Sequence, residues 1–325
     1  MKRLGIILLA AVLLLGACGS PSDKKENNQT AGGDKDIIQV KTTVYPLAYF
    51  AQRIGGDAVE ASSVYPPGAD SHTFEPTQKE MMALADSDLF IYIGLGLEGF
   101  VDKAEKTLKN EKVRLVAAGN SIPENALRRG GDHHDGDDDH DDHDHHDHSG
   151  VDPHVWLSPV LAKDLAAAVK DALVREMPDH EAEFTDRFDA LTEELDALDG
   201  EYREMAGKAE TKSFFISHAS FGYVADEYGL KQVSVAGLNS QSEPSQKQLA
   251  AIVDQARSEK IRYLFFEQNV SSKLTEVIQR EIGAEPLTVH NLSVLTQEDI
   301  KADETYFTLM ERNLDEFRKA LGAAE

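Results

Sequence analysis

The chain has 325 residues, 41% hydrophobic and 28% charged, a balance that buries a core, excludes global disorder and suits two domains. Its formal net charge of −25, from 33 Lys and Arg against 58 Asp and Glu, excludes a general nucleic-acid binder, because phosphate contact is driven by Lys and Arg. A single cysteine excludes disulfides within the chain and Cys-based zinc fingers.

The amino terminus reads as an address. Lys2 and Arg3 precede an apolar run from Leu4 to Leu15, too short to cross a bilayer core of roughly 30 Å as a helix. Residues 1–17 are therefore expected to be a signal peptide. The run ends in Leu15-Gly16-Ala17-Cys18, which resembles the bacterial lipobox, where cleavage precedes a cysteine that then carries lipid. Acyl chains on Cys18 would anchor the protein stably, at about 0.8 kcal/mol per buried CH₂. Residues 18–36 are polar and Gly-rich and read as a flexible tether.

From Ile37 onward, short Val-, Ile- and Phe-rich runs alternate with helical patterns. Strands are expected at Ile37–Val44, Val59–Tyr65, Leu89–Ile93 and Val113–Ala117, and again at Ser213–Ser217, Gln232–Val235, Tyr263–Phe266 and Leu287–His290. Helices separate them, which predicts βαβ units and parallel sheets. Thr77 and Glu80 form a capping-box pattern ahead of Met81, and Ser158-Pro159 starts another helix that Pro178 stops. The first lobe is expected over residues 37–177.

Inside it lies Asp132–His148, with seven His and nine Asp in 17 residues. It has no apolar residue and cannot form a core. Residues 131–149 are expected to be a solvated loop that collects zinc-like ions weakly, because ordering a floppy loop costs entropy and many ligand sets compete. Residues 178–211 follow. Phe184, Phe188, Leu191, Leu195, Leu198, Tyr202 and Met205 are spaced four and three apart, one apolar seam on a helix on the order of 40 Å long. Such a helix reads as a stiff connector to a second lobe at 212–325, or else as a surface helix of one lobe. A bend is expected at Gly200, and small relative motion of the lobes rather than wide closure.

Five histidines lie outside the loop. His180, in a Pro-Asp-His corner, reads as a surface residue. His72, His218 and His290 follow strands, and His154 precedes a helix. Ligands of open α/β sheets bind outside the carboxyl ends of strands, so these four imidazoles could converge on a metal between two lobes. Zinc suits imidazole, and Asp152, Glu75 and Glu267 are candidates to hold the second ring nitrogens.

These segments carry a resemblance. His72-Thr-Phe-Glu75-Pro-Thr77, Asp152-Pro-His-Val-Trp-Leu-Ser-Pro159, Ser217-His-Ala-Ser-Phe-Gly-Tyr223, Gly237-Leu-Asn-Ser-Gln-Ser-Glu243-Pro244 and Phe266-Glu-Gln-Asn-Val-Ser-Ser-Lys273, with the His-rich loop, are similar to the zinc-specific solute-binding lipoproteins of bacterial ABC importers. The resemblance implies an α/β fold of two lobes, each a mostly parallel sheet flanked by helices and joined by a long helix. It implies one buried Zn2+ as cargo, delivery to a membrane permease and its ATPase, and a lipid-anchored monomer on the outer face of the cell membrane. The ligands it implies are His72, His154 and His218. Relatives place a carboxylate near Ser293, where this chain has none, so His290, a water or Glu267 is left to fill the fourth position. Two other readings share these features: a zinc-buffering or adhesive surface lipoprotein, and a zinc hydrolase, which lacks any His-Glu-x-x-His motif.

Overall fold

In a computed structural model, residues 37–129, 150–241, 244–268, 270 and 273–323 are described. The expected signal peptide, Cys18, the tether and the His-rich loop lie outside these residues. So do Ser242, Glu243, Asn269, Ser271 and Ser272 of the motifs above.

Eight strands form: β1 (Ile38–Thr42), β2 (Val59–Ser63), β3 (Leu89–Tyr92), β4 (Arg114–Ala117), β5 (Ser213–Ile216), β6 (Lys231–Ser234), β7 (Tyr263–Glu267) and β8 (Glu285–Val289). They make two four-stranded parallel sheets, ordered β2-β1-β3-β4 and β6-β5-β7-β8. The two orders are the same, so each half of the chain repeats one winding. Central strands of a parallel sheet are covered on both faces. That is why β3 is the unbroken apolar run Leu-Phe-Ile-Tyr, every residue of it buried.

Helix starts follow the expected chemistry. Thr77 accepts from the backbone N–H of Glu80 while the Glu80 carboxylate accepts from that of Thr77. Ser158 accepts from Leu161 N–H, with Pro159 in the first turn. No helix among the described residues is long and apolar enough to cross a membrane.

A 3-10 turn at Pro178–His180 leads into the long helix Glu181–Lys208, 28 residues or about 42 Å at 1.5 Å per residue. Its seam is buried as the spacing predicts, except Phe188, which is half-buried. Gly200, where a bend was expected, does not break the helix. The helix runs through it without interruption, and its Cα faces open space. A lone glycine costs about 1 kcal/mol relative to alanine but leaves every backbone hydrogen bond in place.

This helix is not a free-standing rod. It packs on the helices Tyr45–Gly55, Pro159–Glu176 and Tyr306–Leu321. The Tyr202 hydroxyl donates to the Met310 carbonyl at 3.0 Å. The main core runs continuously through both lobes, from Ile38 and Phe90 to Phe265 and Phe317. Phe50 and Tyr306 meet edge-on across the junction, their ring centres 5.2 Å apart. Opening the lobes widely would expose that shared apolar surface, which costs roughly 25 cal/mol per Å².

Candidate metal centre

The carboxyl ends of both sheets face the lobe junction, and the loops there carry the histidines. The first is placed by an aspartate two residues earlier. Asp70 Oδ1 accepts from the His72 backbone N–H at 2.8 Å. Its other oxygen accepts from the second lobe, from Ser240 Oγ at 2.9 Å and Gln241 Nε2 at 3.2 Å. Phe74, two residues on, packs edge-on against Tyr65.

The second histidine repeats this arrangement. Asp152 Oδ1 accepts from the His154 backbone N–H at 3.0 Å and lies 2.8 Å from its ring Nδ1. A carboxylate only accepts, so Nδ1 carries the proton and Nε2 presents its lone pair on the side of the His72 ring. The second lobe grips this segment on both sides. Tyr223 Oη donates to the Asp152 carbonyl at 2.7 Å, Trp156 Nε1 to the Asn291 carbonyl at 2.7 Å, and Tyr306 Oη to the Trp156 carbonyl at 2.8 Å. His154 belongs to the first lobe, yet its position is registered by the second.

The third histidine follows β5. His218 is fully buried, with Nδ1 3.1 Å from Glu267 Oε2 and Nε2 2.8 Å from the Leu238 carbonyl. Glu267 ends β7, the neighbouring strand.

These three rings meet. His72 Nε2 and His154 Nε2 are 3.2 Å apart. The His218 ring centre lies 5.2 Å from that of His72 and 4.9 Å from that of His154. One nitrogen from each of the three falls within 4.8 Å of the others, the one such group among the described residues. Two nitrogens on a tetrahedral zinc, each 2.0–2.1 Å away, stand about 3.3–3.4 Å apart, close to the separation of the first pair.

The electrostatics divide the three. Burial, and then the His154 and His218 rings, push the His72 pKa down to about 2. Its ring is neutral across the physiological range. Burial works against a charged His218 too, but Glu267 and the Leu238 carbonyl outweigh it and hold that pKa above the ordinary histidine value.

His290, named with water and Glu267 for the fourth position, is not brought into this group. It is buried, its Nδ1 accepts from the Leu292 backbone N–H at 2.8 Å, and its Nε2 lies 3.2 Å from Asp299 Oδ2. A neutral imidazole has one lone pair, and here the backbone takes it. Ser293 turns its hydroxyl to Asn291 Oδ1 at 2.8 Å. Glu75 is exposed and bonds no histidine among the described residues, whereas Asp152 and Glu267 hold ring nitrogens as expected. His180 lies at the surface beside Glu183. Asp70 and the Leu238 carbonyl escaped the sequence reading. The signal for Asp70 was present: Asp-x-His occurs at both Asp70-Ser-His72 and Asp152-Pro-His154.

Known proteins share this architecture. The family model described as ZnuA, zinc-uptake complex component A, periplasmic, matches residues 40–320. The high-affinity zinc uptake system protein ZnuA of Bacillus subtilis is 36% identical over 321 residues, 98% of both chains. The zinc-binding lipoprotein AdcA of Streptococcus pneumoniae is 35% identical over 97% of this chain. This chain spans 60% of that relative's length. The crystal structure of Zn(II)-bound AdcA from S. pneumoniae superposes with a TM-score of 0.71 at 34% identity, covering 88% of this chain and 58% of that one.

Proposed function

The chain belongs to the ZnuA family of zinc-uptake components, and from that premise we propose that it captures extracellular Zn2+ between its lobes and passes it to an ABC permease driven by an ATPase. The observation that carries this reading is the pair of Nε2 atoms 3.2 Å apart with a third imidazole beside them. His72 and His154 from the first lobe and His218 from the second are the ligands. Glu267 holds Nδ1 of His218, so Nε2 meets the ion and gives up the Leu238 carbonyl to do so. A water completes the tetrahedron, because His290 has no lone pair to offer. The ligand set is then neutral, which suits a borderline-soft dication.

The remaining parts follow from the sequence. Residues 1–17 export the chain, lipid on Cys18 holds the monomer at the outer face of the cell membrane, and residues 18–36 tether it. Residues 178–211 link the lobes at 37–177 and 212–325. The loop at 131–149 gathers zinc weakly. A hydrolase would also use three histidines and a water, but the relatives are zinc-uptake and zinc-binding proteins and no observation favours catalysis.

Titration of zinc against a chelating dye tests capture and collection together. The full chain should hold one tight equivalent and several weak ones, and deleting residues 132–148 should remove only the weak ones. Unchanged stoichiometry after the deletion would refute the collecting role. A strain lacking the protein should grow poorly under zinc chelation, and normal growth would count against import.

A further inference from the structure

The two carboxylates that support the cluster are not equivalent. Asp152 is fully buried, and its charge is answered by Arg128, whose Nη1 lies 3.5 Å from Oδ2. Glu267 is only 3% exposed and has no Lys or Arg within ion-pair distance among the described residues. Oε2 takes two donors, His218 Nδ1 and Asn291 Nδ2, each at 3.1 Å. Oε1 is buried and has no hydrogen-bond partner among the described residues. Asn291 cannot turn to relieve it. Its Oδ1 already accepts from Ser293 N–H and Ser293 Oγ, and its backbone carbonyl is held by Trp156.

A buried carboxylate with half its acceptors unused is costly, and such groups persist where a charge compensates them. The neighbouring compensation here is whatever cation the His218 ring carries on its far nitrogen. Three neutral imidazoles leave a bound Zn2+ with its full double charge, and an anion one ring away offsets part of it.

We propose that Glu267 is the charge-balancing and positioning residue of the zinc site: it fixes which nitrogen of His218 meets the ion, and its unspent charge biases the site towards a dication. This inference rests on the zinc-capture reading. It assigns to Glu267 the charge that an oxygen ligand near Ser293 would otherwise bring.

Glu267→Gln keeps the shape and one acceptor for His218 Nδ1 while removing the charge. Coulomb energy scales with the charge of the ion, so the variant should lose twice as much binding energy for Zn2+ as for Cu+. Loss of a partner that supports a metal-bound histidine typically weakens metal binding about 10–100-fold. The expected result is a fall of that size for Zn2+ and of only about 3–10-fold for Cu+. Both are measured on the full chain by competition with chelating dyes, under anaerobic reducing conditions for Cu+. Equal losses for the two ions, or no loss of zinc, would each overturn the proposal. A parent chain with no tight zinc equivalent would instead sink the capture reading itself.

Discussion

His218 and His290 sit in corresponding places. Each follows a strand of the second sheet, each is buried, and each has a carboxylate about one hydrogen bond away: Glu267 at 3.1 Å and Asp299 at 3.2 Å. They differ in what faces the other nitrogen. His290 meets a backbone N–H, so a neutral ring satisfies both sides. His218 meets a second acceptor, the Leu238 carbonyl. An imidazole between two acceptors is complete only when it carries positive charge, as a proton or as a metal. The difference teaches that burial and a nearby carboxylate do not make a histidine a ligand. The character of the group opposite its second nitrogen does.

The sharpest way to break this comparison is to truncate each ring. His218→Ala should weaken the tight zinc equivalent by more than the roughly 100-fold that loss of a supporting residue reaches. His290→Ala should leave zinc affinity within a few-fold. It should instead lower stability by about 1–3 kcal/mol, because Asp299 and the Leu292 N–H lose a buried partner. Chelator competition and thermal melts read the two effects, and equal losses of zinc would erase the distinction.

A second effect is thermodynamic. Zinc at 100 times its dissociation constant should stabilise the parent by about 2.7 kcal/mol. The His290→Ala protein should gain the same increment and the His218→Ala protein little of it.

Much of this was legible in the sequence, for identifiable reasons. All eight strands appear within about two residues of expectation because strands covered on both faces are apolar runs that helices interrupt. The long helix was legible from its 4-3 spacing. His154 and His218 were legible because one leads into a helix and the other follows a strand, and His72 because it lies on the connection between a strand and a capped helix. His290 stands apart from the three because its Nδ1 accepts from a backbone N–H two residues away, and sequence does not show which way such a ring turns. Glu75 and Glu267 looked alike as supporting carboxylates, and only the fold puts one in solvent and the other under His218. The long helix looked like an isolated connector because its seam does not reveal how many partners share it.

Acidity gives a smaller and graded test. The His218 pKa is raised, so as pH falls through it the ring gains a proton that zinc must displace, and affinity should decline. The same raised pKa adds stability to the zinc-free protein below the unfolded value of about 6.5, stability that is lost as pH rises through the folded pKa. His72, pushed down to about 2, stays unprotonated and adds nothing to the competition above pH 5. Zinc affinity that is flat between pH 5 and 8 would contradict the contrast between the two rings. The smallest effect should come from Ser240→Ala, which removes one hydrogen bond to Asp70 across the lobes. It should cost on the order of 1 kcal/mol or less and speed zinc release a few-fold in stopped-flow chelation.

X-ray absorption at the zinc edge is the most direct test of the central claim, made on protein lacking residues 132–148 and loaded with one equivalent. The account predicts three imidazole nitrogens and one oxygen at about 2.0–2.1 Å, unchanged by His290→Ala and reduced to two imidazoles by His218→Ala. A spectrum with fewer than three imidazoles in the parent, or one that His218→Ala leaves untouched, would contradict it.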